Sequence, residues 1–157
     1  CSCLLLEKHE FTLFVDVLHK QRGPSQLCLL FDEQEIRHAC ATQLENLKRL
    51  SLLGYSIGLN NFAKDRCELN LLTDVNFDYL LLSSTFSKRI LQQDSYDLQL
   101  QGVLPITKLK KMKVIAKGPS ILNFRALLEK HGLSYFVGKQ HTLPCSKPNQ
   151  GHLSQSI

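Results

Sequence analysis

No apolar stretch in the sequence approaches the ~18 residues that a membrane-crossing helix needs, so a bilayer span is excluded from this chain. There is no initiating methionine, and Cys1-Ser2-Cys3-Leu4-Leu5-Leu6 lacks the basic segment and small-residue cleavage site of a secretory leader; the opening reads as a cut through a longer protein. CxxC, HxH and HExxH spacings are all missing, which removes the common zinc sites. Internal repeats and low-complexity segments are missing too. Charge is sparse at 21% of residues, and 19 Lys+Arg against 14 Asp+Glu leave a net +5, well short of the dense basic stripes of nucleic-acid binders.

What is present is apolar residue. The chain has 157 residues, 43% of them hydrophobic and 31 of them leucine, which suits one folded domain and rules out disorder over most of its length. Six cysteines stand at positions 1, 3, 28, 40, 67 and 145, some inside apolar runs such as Leu27-Cys28-Leu29. That pattern predicts reduced thiols, most of them filling the core, in a cytoplasmic protein or the cytoplasmic part of a membrane-anchored one.

Short runs of strand formers alternate with segments of helical period, the signature of βα units around a parallel sheet. The predicted strands are Cys3–Leu6, Leu27–Phe31, Tyr55–Leu59, Phe77–Leu82, Lys113–Ala116 and Ser134–Val137. Glu35–Leu53 repeats apolar residues every three or four positions and is followed by Gly54, which predicts one helix with a glycine stop. Phe11, Phe14, Val15 and Leu18 predict another, and Gly118-Pro119 opens a third over Ile121–Lys130. A short helix is expected at Ser87–Gln92 and a longer one at Tyr96–Lys111, bent or interrupted at Pro105. Residues 1–143 form the expected domain and 144–157 a polar, flexible tail. Barrels and open doubly wound sheets share this pattern.

Specific residues narrow the choice. Leu29-Leu30-Phe31-Asp32-Glu33 is followed by Leu47-x-x-Leu50-x-x-Leu53-Gly54 and by Tyr55 to Phe62, which ends in Asn60-Asn61-Phe62. Val75-Asn76-Phe77-Asp78 leads into Leu80-Leu81-Leu82-Ser83 and Phe86, then come Val114-Ile115-Ala116-Lys117-Gly118 and Gly132 to Gly138 with Pro144. In this order the five motifs resemble EAL domains, the cyclic-di-GMP phosphodiesterase family. The resemblance implies a (β/α)8 TIM-like barrel, present here as its C-terminal two-thirds because a full barrel takes roughly 250 residues. The Glu-Ala-Leu motif that names the family is absent from the sequence, and Cys1-Ser2-Cys3 stands loosely where the family has an Asn-x-Ser strand.

The same resemblance bears on chemistry. Family members hold metal ions on carboxylates at strand ends to generate a hydroxide. Aligned by motif, Leu30 stands for the first Glu of Glu-Ile-Thr-Glu while Glu33 keeps the second, Asn60 and Asn61 replace an Asp-Asp pair, Leu81 replaces a lysine and Ser83 an aspartate. Lys117 takes the place of a glutamate and Val137 that of a glutamine, whereas Gly54, Phe62, Asp78, Phe86, Ala116, Gly118, Gly138 and Pro144 are retained. The resulting expectation is a domain that is not an enzyme, with no catalytic residue, no metal and no cofactor, and a vestigial ligand pocket of Glu33, Asn60, Asn61 and Lys117.

Such a domain would be a regulatory module that binds a protein partner. It resembles degenerate EAL domains in regulators of the MshH type, which promote decay of carbon-storage small RNAs, and the partner implied is a sugar-phosphotransferase component. Two alternatives stand beside it: a receptor that binds cyclic-di-GMP without hydrolysis, and an RNA-binding strip over Lys108, Lys110, Lys111, Lys113 and Lys117. Against the strip, lysines at a helix C-terminus complement its dipole without any ligand. Asn60-Asn61 reads more commonly as a turn former, Asp32, Glu33 and Glu35 as an acidic first helical turn, and Cys1-x-Cys3 with His9 as a buried strand rather than a metal site.

Overall fold

The computed structural model describes residues 8–21, 23–92, 94–118, 129, 133 and 135–137. Helix α1 (Lys8–Gln21) and a 3-10 turn at Pro24–Gln26 precede β1 (Cys28–Asp32), α2 (Glu33–Arg37), α3 (Ala41–Leu52) and β2 (Ser56–Phe62). Then follow α4 (Asn70–Asp74), β3 (Tyr79–Leu82), α5 (Ser84–Gln92), α6 (Asp94–Leu109), β4 (Lys113–Lys117) and β5 (Tyr135–Val137). The five strands form one sheet in the order β1-β2-β3-β4-β5, and every pair is parallel. Sequential parallel order with helical crossovers places all strand C-terminal ends on one edge, as in a barrel wall.

Side-chain alternation divides the sheet into two faces. Phe31, Ile57, Leu59, Leu80, Leu82, Val114 and Ala116 are buried and join Leu47, Leu50, Leu72, Phe86 and Leu100 of the helices in one core. On the other face, Leu30 faces Gly58 in register and Leu81 faces Ile115. Leu30 remains 39% exposed there, and Tyr135 and Val137 are exposed as well. Gly58 is a close-approach glycine: a Cβ there would lie 2.4 Å from Leu30 Cδ2 and 3.2 Å from Tyr79 Cβ.

Five of the expected strands appear, four within two residues of their predicted limits and the one expected at Tyr55–Leu59 running three residues further, to Phe62; Cys3–Leu6 lies outside the described residues. The single helix expected over Glu35–Leu53 is two, because each half carries its own cap. Asp32 Oδ1 accepts from Gln34 N at 3.1 Å while Asp32 N donates to Glu35 Oε2, and Cys40 N donates to Gln43 Oε1 at 2.8 Å. The three-residue break at His38–Cys40 nearly preserves the helical phase, so periodicity alone could not reveal it. Gly54 stops α3 at φ +86, where Tyr55 N donates to Leu50 O and Gly54 N to Ser51 O in a Schellman arrangement. Helix α6 is continuous through Pro105, whose ring stands on the exposed side. The helix expected at Ile121–Lys130 and the boundary at 143/144 fall outside the described residues apart from Glu129. Core-filling cysteines are corrected: Cys28 and Cys40 are exposed free thiols, and Cys67 is half-buried. Cys28 alternates with buried residues onto the uncovered face of β1.

Candidate functional site at the strand ends

Four side chains meet at the C-terminal ends of β1, β2 and β4. Asp32 ends β1 and pairs in register with Asn60 of β2. Between Leu59 and Phe62 the β2–β3 register shifts, and within that irregularity Asn61 adopts φ +59. In a regular strand neighbouring side chains point to opposite faces, but the left-handed residue breaks this alternation. Both amides therefore reach one partner: Lys117 Nζ donates to Asn60 Oδ1 and, at 3.2 Å, to Asn61 Oδ1. Asn61 Nδ2 donates in turn to Asp32 Oδ2 at 2.6 Å.

This chain of contacts runs from carboxylate through amide to ammonium. Burial pulls the Lys117 pKa below the ordinary lysine value of 10.5, and the Asp32 charge opposes that shift. The ammonium keeps N–H capacity, since its three donors exceed the two amide oxygens. Chemically the cluster is a fixed cation at a strand-end rim, able to meet an anionic oxygen.

Of the four pocket residues expected from sequence, the structure brings together Asn60, Asn61 and Lys117. Glu33 is placed differently: it is 1% exposed, its Oε1 accepts from Arg37 Nη2 at 2.8 Å, and the Lys64 backbone N–H also serves it. Burial raises its pKa, with Arg37 opposing. Arg37 also contacts Glu68 at 3.2 Å, so Glu33 fastens the β2–α4 loop to α2. From sequence Asp32 reads only as part of an acidic first helical turn; in the structure it is the N-cap of α2 and also accepts from Asn61. The four-residue spacing of Glu33 and Arg37 on one helix was the available signal for their pairing.

Other expected positions have local roles. Ser83 is buried and its Oγ accepts from Phe86 N at 3.0 Å, capping α5. Asp78 Oδ2 accepts from Ile57 N at 2.8 Å at the opposite end of β2. The lysine strip is not one surface. Lys110 Nζ donates to Thr73 O, Val75 O and Asn76 Oδ1, and Lys113 lies 5.5 Å from the Tyr79 ring centroid. Lys113 and Lys117 occupy opposite ends of β4, about 13 Å apart at strand rise.

The EAL domain model matches residues 2–134. The chain belongs to the EAL family. Solved structures of similar fold include a PaMucR phosphodiesterase in complex with c-di-GMP, with TM-score 0.71 and 18% identity, matched over 87% of this chain and 56% of that one. Klebsiella pneumoniae BlrP1 with calcium and cy-diGMP gives TM-score 0.75 at 20% identity over 87% and 35% of the two chains. The EAL domain of Mycobacterium smegmatis DcpA gives 0.70 at 17% over 85% and 60%. This EAL chain thus spans about a third to three-fifths of the length of those relatives. No curated protein matches it. Among the described residues no helix is long and apolar enough to cross a membrane.

The expectation that this EAL domain is not an enzyme is overturned. Its family is enzymatic, and the solved structures that share its fold include a phosphodiesterase and an EAL enzyme. The expectation counted lost charges over a segment that covers only part of the length of those relatives, and such a count is no census of a whole active site. For a divalent cation, however, the described strand ends are a poor fit. No group of three His, Cys, Asp or Glu side chains is arranged to hold a metal ion among the described residues, and the Lys117 ammonium occupies the Asn60 and Asn61 oxygens.

Proposed function

We propose that this EAL domain serves cyclic-di-GMP signalling by taking a phosphodiester oxygen at the Lys117 cluster, with Asn60 and Asn61 as accessory polar contacts. The observation that carries the reading is the convergence of Asn60 and Asn61 on Lys117 at the rim where the strands end. A lysine there supplies, as part of the chain, positive charge of the kind a metal ion otherwise brings to phosphate. Solved structures of the same fold include complexes with c-di-GMP, which supports this choice of ligand. Binding of this kind needs no activated water. Glu33 belongs to the support of the neighbouring loop rather than to the ligand contacts in this reading. Calorimetry of the chain with cyclic-di-GMP tests it: saturable binding that falls roughly tenfold or more in Lys117→Glu is expected. Unchanged affinity in that variant defeats it.

A protein partner is a second reading, favoured by apolar residues left uncovered on the helices. Leu52 is 86% exposed, and together with Leu53, Phe11 and Val15 it lines a groove between α3 and α1. Pull-down with a sugar-phosphotransferase component, repeated with Leu52→Lys, tests this surface. Equal capture by both proteins rules the groove out.

A further inference from the structure

Asp32 has no place among the nucleotide contacts, yet its carboxylate links the strand-end cluster to the helix that follows β1. Its Oδ1 accepts from Gln34 N at 3.1 Å and so caps α2, while Asp32 N donates to Glu35 Oε2. With one oxygen committed to the helix, the other is aimed across the rim, where Oδ2 accepts from Asn61 Nδ2 at 2.6 Å.

The consequence falls on Lys117. A side-chain amide has two ends of nearly equal shape, one that donates and one that accepts. A carboxylate only accepts and an ammonium only donates, so a single orientation of the Asn61 amide suits both: Nδ2 on Asp32 and Oδ1 on Lys117 Nζ at 3.2 Å. Without Asp32 the same amide is free to turn over at little steric cost and set its N–H groups against the ammonium. Of these two amides only Asn60 would then hold Lys117. With Asp32 in place, both amide oxygens accept from Nζ, and an ammonium has a third N–H beyond those two.

We propose that Asp32 is a positioning residue of the cyclic-di-GMP site: without touching the nucleotide, it fixes the Asn61 amide so that Lys117 is tethered by two oxygens and keeps its third N–H for the phosphodiester. This part in binding rests on cyclic-di-GMP binding at Lys117; the hold on Asn61 does not. Two influences of Asp32 oppose one another. Its negative charge near the rim repels an anion, while its hold on Asn61 prepares Lys117 for one. Were charge its only influence, removing it would tighten binding. A positioning residue instead loses affinity on removal, and only while Asn61 is present.

Asp32→Ser separates the two influences, because serine caps a helix about as well as aspartate but has no second oxygen to offer Asn61. Asn61→Gly supplies the second background, since glycine accepts the left-handed backbone at φ +59. Calorimetry of the full chain with cyclic-di-GMP then reads a double-mutant cycle. Asp32→Ser should weaken binding by about fivefold with Asn61 present, and should leave it unchanged or tighten it in the Asn61→Gly background, a coupling of the size found within one hydrogen-bond network. A general loss of structure would lower affinity equally in both backgrounds. An effect of the same size and sign in both overturns the proposal, as does tighter binding by Asp32→Ser with Asn61 present. The ligand-free chain gives a second readout. Asn61 side-chain amide resonances in a nitrogen–proton correlation spectrum should shift on Lys117→Met, and most of that response should be lost when Asp32→Ser is added. Absence of cyclic-di-GMP binding by the unmodified chain defeats the Lys117 anchor and with it the nucleotide role of Asp32, whereas an undiminished response to Lys117→Met in Asp32→Ser defeats the orientation of Asn61 by itself.

Discussion

Asn61 and Lys117, 56 positions apart in sequence, are joined by a hydrogen bond of 3.2 Å that exists only because Asn61 has a left-handed backbone. Asparagine tolerates φ near +60 better than other side-chain-bearing residues, and a β-branched residue there is strained. Asn61→Val is therefore expected to destabilise the chain by about 1–2 kcal/mol more than Asn61→Gly, which loses the same side-chain contacts but keeps the conformation. Urea denaturation of the two variants measures the difference. Equal midpoints at equal slopes would remove the conformational part of the argument.

The Lys117 pKa sets a pH window for anion binding. Its folded pKa lies below the ordinary 10.5, so the ammonium deprotonates earlier than an exposed lysine would. Cyclic-di-GMP affinity should therefore begin to fall below pH 10.5, and binding in that window should take up protons because the anion favours the charged form. In the absence of ligand the sign for stability is opposite. The folded state binds fewer protons than the unfolded one between the lowered pKa and 10.5, so this group's contribution rises with pH across that interval. Calorimetry in buffers of different ionisation enthalpy detects the proton uptake, and Lys117→Arg should flatten the pH profile because a guanidinium stays charged throughout.

Cys67 is held in its thiol form. Burial first, and the charge of Glu33 second, push its pKa up to about 11, which leaves roughly one part in a thousand as thiolate at pH 8. Iodoacetamide should accordingly label exposed Cys40 well before Cys67, as read by mass spectrometry of digested protein. Glu33→Gln should speed labelling of Cys67 modestly by removing the nearby negative charge. Comparable rates for the two thiols in the unmodified chain would contradict the placement of Cys67.

The fold was legible because each strand is built on a short apolar run and the helices repeat at three and four residues, two signals that a parallel sheet with covering helices imposes directly. Leu80 and Leu82 could only be core, and Gly54 could only be a stop. Asn60 and Asn61 were visible as a strand-end pair, yet their convergence on Lys117 was not, because alternation in a regular strand would send them to opposite faces. The register irregularity that reunites them has no local sequence signature beyond asparagine itself. The pairing of Glu33 was hidden for a related reason. A carboxylate beside a strand end looks like a ligand until Arg37, one helical turn later, is seen to claim it. Helix α4, five residues long, is too short for a period to register.

Glu33 and Arg37 form a part-buried pair in which each partner needs the other. Burial raises the Glu33 pKa and Arg37 restrains that rise, so the group favours its neutral form in the folded state more than in the unfolded one. For an acid shifted in this direction, its contribution to stability is full below the unfolded value near 4.5 and is lost as pH climbs through the higher folded value. Arg37→Ala removes the restraint and leaves a carboxylate that is 1% exposed without its countercharge, which should cost about 3 kcal/mol at neutral pH. The loss should shrink toward pH 4, where the orphaned carboxyl takes up a proton. Adding Glu33→Gln to Arg37→Ala should recover much of the neutral-pH loss, since a neutral amide in the same place needs no countercharge, and the recovery should vanish at low pH. A double-mutant cycle by urea denaturation at pH 4 and pH 7 reads all three terms; additive single-variant effects at both pH values would show that Glu33 and Arg37 do not act as a pair.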